Sequence, residues 1–319
     1  MSNMTANEFD IIDKYFKRLR VESNAVVLGP GDDCAVLSIP TGHELCVSTD
    51  TLIEGVHFPE DAPAEIAVSR TMAANLSDLA AMGAEPHAFV LAITMPSADE
   101  RWLESCSEEL SRNIQQYAIP LVGGNLAKGE LSLTVTVMGT VPAGESITRS
   151  GAKPGDEVYV TGSLGDAAKG LELQRSGIEE GFLVDRYRAP TPRLQAGMGL
   201  RGLASAMIDI SDGLMSEVGH ICASKGYGAE IMMDAIPLSA ELLKATELVT
   251  ATRMALFSGD DYELCFTAAP SKREAIKALS GKLGLPMSRV GLIVDEPGIN
   301  VRRADGSALP HDMTGYQHF

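Results

Sequence analysis

At 319 residues, 45% of them hydrophobic, the chain is long enough for two domains of ordinary size and has the composition of a folded globular protein. Its 26 Lys plus Arg against 43 Asp plus Glu give a net charge of −17, which argues against nucleic acid or an anionic membrane as partner and means that bound phosphates need divalent cations beside them. The five cysteines, Cys34, Cys46, Cys106, Cys222 and Cys265, are odd in number, dispersed and never in C-x-x-C, so they indicate neither a disulfide framework nor a zinc site and fit a reducing cytoplasm.

The N-terminus places Phe9, Ile12, Phe16 and Leu19 at helical spacing with charges between them, which predicts a surface helix rather than a signal sequence. AVVLGPGDD, CAVLSIP and HELCVSTD follow. The last two read as strands joined at Thr41-Gly42, with Ser48, Thr49 and Asp50 emerging at the carboxyl end of the second, where open α/β sheets place ligands. Residues 63–83, alanine-rich, with Pro at the start and Gly at the end, predict a largely buried helix that carries Thr71, Asn75 and Asp78 on one stripe. A strand at 87–96, an amphipathic helix at 99–118, a strand entering a turn at Gly123-Gly124, and a β-prone run LSLTVTVMGTV complete a first domain, taken as 1–148. Pro142, Gly144, Gly151, Pro154 and Gly155 mark the junction, and 149–319 form the second domain.

That half alternates strand, turn and helix: DEVYVTGSLGDAAKGLEL, AMIDISDGLMSEVGHICASKG and RMALFSGDDYELCFTAAP, then a helix over 272–283 and a hairpin-like VGLIVDEPGINVRRADG. Thr161 stands where a G-x-S-x-G nucleophile elbow needs its first Gly, so Ser163 is a turn residue. Ser211 or Asp212 is placed to cap the helix after it. Neither a Walker loop nor G-x-G-x-x-G occurs, and no apolar run reaches the roughly 18 residues of a membrane span.

One grammar recurs at GPGDDCAVL, LCVSTD, IDISDGL and FSGDDYEL: an apolar stretch running into Asp beside Gly or Ser. Asp32, Asp33, Asp50, Asp78, Asp209, Asp212, Asp260 and Asp261 thereby offer oxygen ligands without clustered His or Cys, the inventory of a magnesium-dependent phosphoryl-transfer site. Taken singly, each corner reads more readily as a turn or a cap than as a ligand; together they predict one shared pocket. Arg149, in TRSGAKPG, is the candidate phosphate clamp, although an exposed Arg in such a loop is more often only solvated.

In their order and spacing, GDDCAVL, STDTLIEGVHF, NLSDLAAMGA, ITRSGAKPGD, IDISDGL, DDYELCFT and the terminal GYQHF resemble the thiamine-monophosphate kinase family, within the superfamily of aminoimidazole ribonucleotide synthetase. The resemblance runs end to end. It implies an α+β (α/β two-domain) fold: an N-terminal sheet-plus-helix domain whose strands pair in a homodimer, a C-terminal α/β domain, and the active site between them. It further implies ATP-dependent phosphorylation of thiamine phosphate, with several Mg²⁺ ions held at Asp33, Ser48, Thr49, Asp50, Asp78, Asn125, Asp209 and Asp212. ATP would meet Gly124, Asn125, Arg149 and Ser211, and thiamine phosphate would meet His57, Asp260 and Tyr316.

Two positions depart from the family pattern. Asn125 stands where many relatives have Asp, which removes a formal charge from the metal cluster, and Asp260 stands where the motif usually has Glu. Selenophosphate synthetases would need a reactive cysteine in a Gly-rich N-terminal segment, and hydrogenase-maturation dehydratases a C-terminal one. Neither is present. Aminoimidazole ribonucleotide synthetase and a non-catalytic magnesium-nucleotide binder remain the alternatives.

Overall fold

The computed structural model describes residues 8–19 and 23–303, and the chain divides into two units: residues up to 79 with 85–144, and residues 80–84 with 145 onward. Tyr316 and the GYQHF tail lie outside the described residues.

In the first unit, α1 (Glu8–Ile11) runs on through a π turn (Ile12–Phe16) and a 3-10 turn (Lys17–Leu19). The stripe it buries is Ile11, Tyr15 and Leu19. Ile12 and Phe16, expected on the same stripe as Leu19, face a cavity described below. β1 (Val26–Leu28) and β2 (Val36–Leu37) pair with each other around the GPGDDC loop. β3 (His43–Ile53), α2 (Ala64–Ala81), β4 (Glu85–Met95), α3 (Glu100–Tyr117), β5 (Leu121–Lys128) and β6 (Ser132–Pro142) then build a sheet of order β3-β6-β4-β5, in which only β4 and β5 are parallel.

α2 is apolar nearly all round, and its side chains are buried nearly all round. α3 is the amphipathic contrast: Leu103, Cys106, Leu110 and Ile114 are buried, and the Asp99 carboxylate caps the Arg101 and Trp102 amides.

Two expectations fail here. Ser48, Thr49 and Asp50 lie in the middle of β3, because the threonine and isoleucine beyond them sustain the strand to Ile53. Gly123-Gly124 is no turn but the interior of β5; glycine is needed there because a Cβ on Gly124 would stand 2.0 Å from the Leu91 carbonyl oxygen of β4.

The second unit carries a sheet of order β12-β9-β11-β7-β10-β8, formed by β7 (Glu157–Thr161), β8 (Ala206–Asp209), β9 (Gly228–Met232), β10 (Leu264–Ala268), β11 (Met287–Val294) and β12 (Gly298–Arg302). Every residue of β7 and β10 is buried, as central strands require. The expected closing hairpin is absent: β12 pairs in parallel with β9, which lies between it and β11. Helices α4 (Asp166–Arg175), α5 (Phe182–Arg188), α6 (Leu194–Gly199), α7 (Leu214–Ala223), α8 (Ala240–Ala245), α9 (Leu248–Phe257) and α10 (Arg273–Leu283) complete the unit, and Ile208, Ile210, Leu214, Val218 and Ile221 join β8 and α7 to its core.

Candidate active site

In the first unit the strand's two-residue period sorts the ligand candidates. Ser48 and Asp50 share the face of β3 that meets α2, where the Ser48 hydroxyl donates to Asp78 Oδ2 at 2.5 Å and the Asp50 amide donates to Asn75 Oδ1 at 3.0 Å. Asn75 is fully buried and is itself fixed by donation to the Thr71 carbonyl, so the predicted stripe of α2 does reach the strand. Thr49 points to the other face, donating to the Val135 carbonyl at 3.0 Å and accepting from the Thr136 hydroxyl at 2.9 Å. Neighbours on a strand face opposite ways, so the hydroxyls of Ser48 and Thr49 do not emerge together at a strand's end.

His57 follows in the loop after β3. Its Nδ1 accepts from the Ile53 amide at 3.0 Å, which fixes the neutral tautomer with the proton on Nε2, and its carbonyl accepts from the buried Arg70 guanidinium.

A cavity of about 650 Å³ opens within the same unit. Asp32, Asp33 and Cys34 of the GPGDDC loop line one side, Gly123, Gly124 and Asn125 of β5 another, and Ile12, Phe16 and Lys17 a third. Asp33, Gly124 and Asn125 are therefore brought together although some ninety residues of sequence separate them. The contribution of Phe16 and Lys17 is missed in the sequence, where the 3.6-residue pattern puts Phe16 on one stripe with Ile12 and Leu19. The switch to a π turn rotates that face away.

In the second unit, Asp209 ends β8 and is only 5% exposed; Ser211 and Asp212 form the turn that follows. α7 begins at Leu214 and the position before it is Gly213, so neither Ser211 nor Asp212 takes the N-cap position. The FSGDDYEL loop is zipped to this turn: the Asp260 amide donates to the Ser211 carbonyl and the Tyr262 amide to the Ile210 carbonyl, each at 2.9 Å. Gly259 permits the approach, because a Cβ there would lie 1.9 Å from the Ser211 oxygen. Asp260 and Tyr262 both adopt the left-handed region, with φ of +69° and +49°, a strained pair held in place by those bonds.

The neighbouring carboxylate has a different duty. Asp261 is fully buried, accepts from the Gly165 amide at 2.7 Å and the Ala167 amide at 3.3 Å, and is pushed up to about 7 by burial. It belongs to the α4 entry turn and leaves the set of ligand candidates. Ser163 donates to Asp166 in the same turn, as expected of a turn residue.

Arg149 is exposed in a 3-10 turn whose start is pinned to β8 by donation of the Met207 amide to the Thr148 carbonyl at 3.3 Å. The positive charge of Arg149 acts on Glu217, a buried residue of α7 that no sequence motif flags. Burial, reinforced by the Asp212 carboxylate, pushes the Glu217 carboxyl up to about 7 against the pull of the Asp212 amide, Arg149 and Ser211.

Among the described residues no three His, Cys, Asp or Glu side chains stand together as a metal-binding group, so neither unit by itself assembles the crowded carboxylate pocket expected from the sequence. The first unit presents oxygen donors at two places, Asp33 on the cavity and Ser48 with Asp78 where β3 meets α2, and the second unit presents Asp209 and Asp212 at the end of β8. Such donors suit a hard divalent cation and phosphate chemistry.

Comparison with known proteins defines the class. The AIR synthase related protein N-terminal domain matches residues 31–141, and the AIR synthase related protein C-terminal domain matches residues 153–303. The thiamine-monophosphate kinase of Escherichia coli strain K12 is 44% identical over 324 residues, which cover 99% of each chain. A crystal structure of thiamine-monophosphate kinase from Stenotrophomonas maltophilia K279a superposes with a TM-score of 0.86 at 39% identity, over 94% of this chain and 97% of that one. AaThiL complexed with AMPPCP and TMP superposes with a TM-score of 0.78 at 30% identity, over 100% of this chain and 99% of that one. The chain belongs to the thiamine-monophosphate kinases of the AIR synthase related class.

Proposed function

We propose that the protein transfers the γ-phosphoryl group of ATP to thiamine phosphate, giving thiamine diphosphate and ADP. The observation that carries this is likeness over the whole length to thiamine-monophosphate kinases, one of them complexed with AMPPCP and TMP.

The oxygen-only donor sets fit magnesium. Asp33, Ser48, Asp50 and Asp78, with Asp209 and Asp212, would hold the ions; Thr49 could serve only through its backbone, and Asn125 through its amide oxygen. Bound magnesium supplies charge neutralisation between two anions that otherwise repel. Gly124, Asn125, Arg149 and Ser211 are assigned to the nucleotide, and His57, Asp260 and Tyr316 to thiamine phosphate.

The acceptor is already an anion, so the enzyme needs no strong base to create a nucleophile. A thiamine phosphate oxygen forms the new bond to the γ-phosphorus, the bond to the β,γ-bridging oxygen breaks, and ADP leaves with the electron pair, without a phosphorylated enzyme. The residues' task is to hold both phosphates in line and exclude water. His57 suits holding rather than proton abstraction, because Nδ1 is occupied and Nε2 carries the proton.

The reading includes a homodimer formed through β3, an edge strand whose Leu45, Val47 and Ile53 are 44%, 59% and 36% exposed. It also takes the cytoplasm as the compartment; among the described residues no helix is long and apolar enough to cross a membrane.

The deciding experiment measures ADP release with ATP and Mg²⁺, with and without thiamine phosphate. Release that requires both magnesium and thiamine phosphate is expected. Release indifferent to thiamine phosphate, or specific to formylglycinamidine ribonucleotide, overturns the reading, and no release at all favours a nucleotide-binding scaffold.

A further inference from the structure

We infer that Glu217 is a positioning residue for the nucleotide end of the reaction, holding the Ser211-Asp212 turn in its working conformation from beneath. Glu217 sits in the first turn of α7 with 2% of its surface exposed. A single oxygen, Oε1, accepts from the Asp212 amide at 3.1 Å and from the Ser211 hydroxyl at 3.4 Å. Its own amide donates to the Gly213 carbonyl at 3.2 Å, so the helix that carries Glu217 also closes the turn that Glu217 supports.

A buried carboxylate with so few donors is stable only while those donors remain in place; any rearrangement of residues 211–212 strips them from it. On the other side, the Ser211 carbonyl is taken by the Asp260 amide. The turn is thus held from two directions, by backbone toward the FSGDDYEL loop and by side chain toward α7. Arg149 contributes the favourable charge nearby. A change at Glu217 would therefore loosen first the two residues it bonds directly, Ser211 and Asp212, which are assigned to nucleotide and magnesium; Asp260 is reached only through its backbone bond to the Ser211 carbonyl. This inference rests on the kinase reading above.

Glu217→Ala and Glu217→Gln test it through two independent readouts. Hydrogen exchange at the Asp212 amide, measured on the ligand-free chain, reads the anchor without turnover. Steady-state kinetics and calorimetric binding of Mg²⁺-ATP read its consequence. For Glu217→Ala we expect exchange at Asp212 and the KM for ATP each to rise about tenfold, the loss of one buried hydrogen bond. The KM for thiamine phosphate should change less than the KM for ATP, since Asp260 keeps its backbone bond to the Ser211 carbonyl. Glu217→Gln keeps an acceptor oxygen and should restore both readouts. Unchanged exchange, exchange that rises throughout the second unit together with a fall in melting temperature, or faster local exchange with unaltered Mg²⁺-ATP binding would each overturn the inference. If the wild type fails to use thiamine phosphate, the kinase reading falls, while exchange and Mg²⁺-ATP binding still decide the role of Glu217.

Discussion

Asp260 and Asp261 are adjacent and chemically identical, yet one is held at the edge of the 209–212 turn while the other is sealed beneath α4. The sequence cannot separate them, because what distinguishes them is a backbone amide at Gly165, 96 positions away along the chain. His57 presents the opposite case, since the bond that supports its proposed role is a local one, four residues back along the chain. With Nδ1 engaged by the Ile53 amide, His57→Asn should raise the KM for thiamine phosphate roughly tenfold and leave kcat nearly intact; a large fall in kcat alone would make the residue a base. Glu157 yields a prediction in pH. It is buried, and hydrogen bonding from the Arg273 guanidinium, with support from Tyr159 and Arg289, holds its carboxyl below the ordinary range. A lowered pKa means that the folded chain binds the proton less well than the unfolded one, so the stabilisation is complete at neutral pH and is lost as pH falls through the folded value. Thermal unfolding of Glu157→Gln should start lower than wild type at pH 7, and the gap should begin to close only as pH falls below the ordinary glutamate pKa of about 4.3.

At the scale of elements, apolar period and propensity locate α2, α3 and the strands well, because these elements bury one face or all of themselves and the pattern records it. The pattern does not record partners. Nothing in VGLIVDEPGINVRR says that β12 passes over β11 to pair with β9, and nothing local says that two glycines sit inside a strand. Gly123-Gly124 looks like a turn to any local rule; its reason is the carbonyl of Leu91 on the neighbouring strand. Gly124→Ala should therefore destabilise the first unit by about 2 kcal/mol through overpacking. It should also weaken ATP binding, because Asn125 on the same strand must move with it; calorimetric melting and nucleotide titration read the two effects separately.

For the whole molecule, the family was legible from the joint order of its motifs, whereas the convergence of all the aspartates was not demonstrable from any of them. The oxygen sets lie in two units, and one carboxylate assigned to the pocket, Asp261, proved structural. The dimer prediction belongs to this scale. Val47 is 59% exposed on β3, so a charge there should be tolerated by the single chain yet costly if a second chain covers it. Val47→Asp should shift the protein to a monomer at micromolar concentration, read by light scattering, with little loss in melting temperature. A variant that stays dimeric would remove β3 from the interface.

β3 and β6 run side by side from His43 against Pro142 to Ile53 against Ser132 without a single irregularity. Side chains along such a ribbon are dealt alternately to its two surfaces. Insertion of one amino acid anywhere between His43 and Ser48 would leave the ribbon's length and chemistry almost unchanged while turning Ser48 and Asp50 outward and bringing Thr49 in. The divalent-ion chemistry assigned to this chain therefore hangs on counting: a deletion as small as a codon could extinguish it in a protein that still folds.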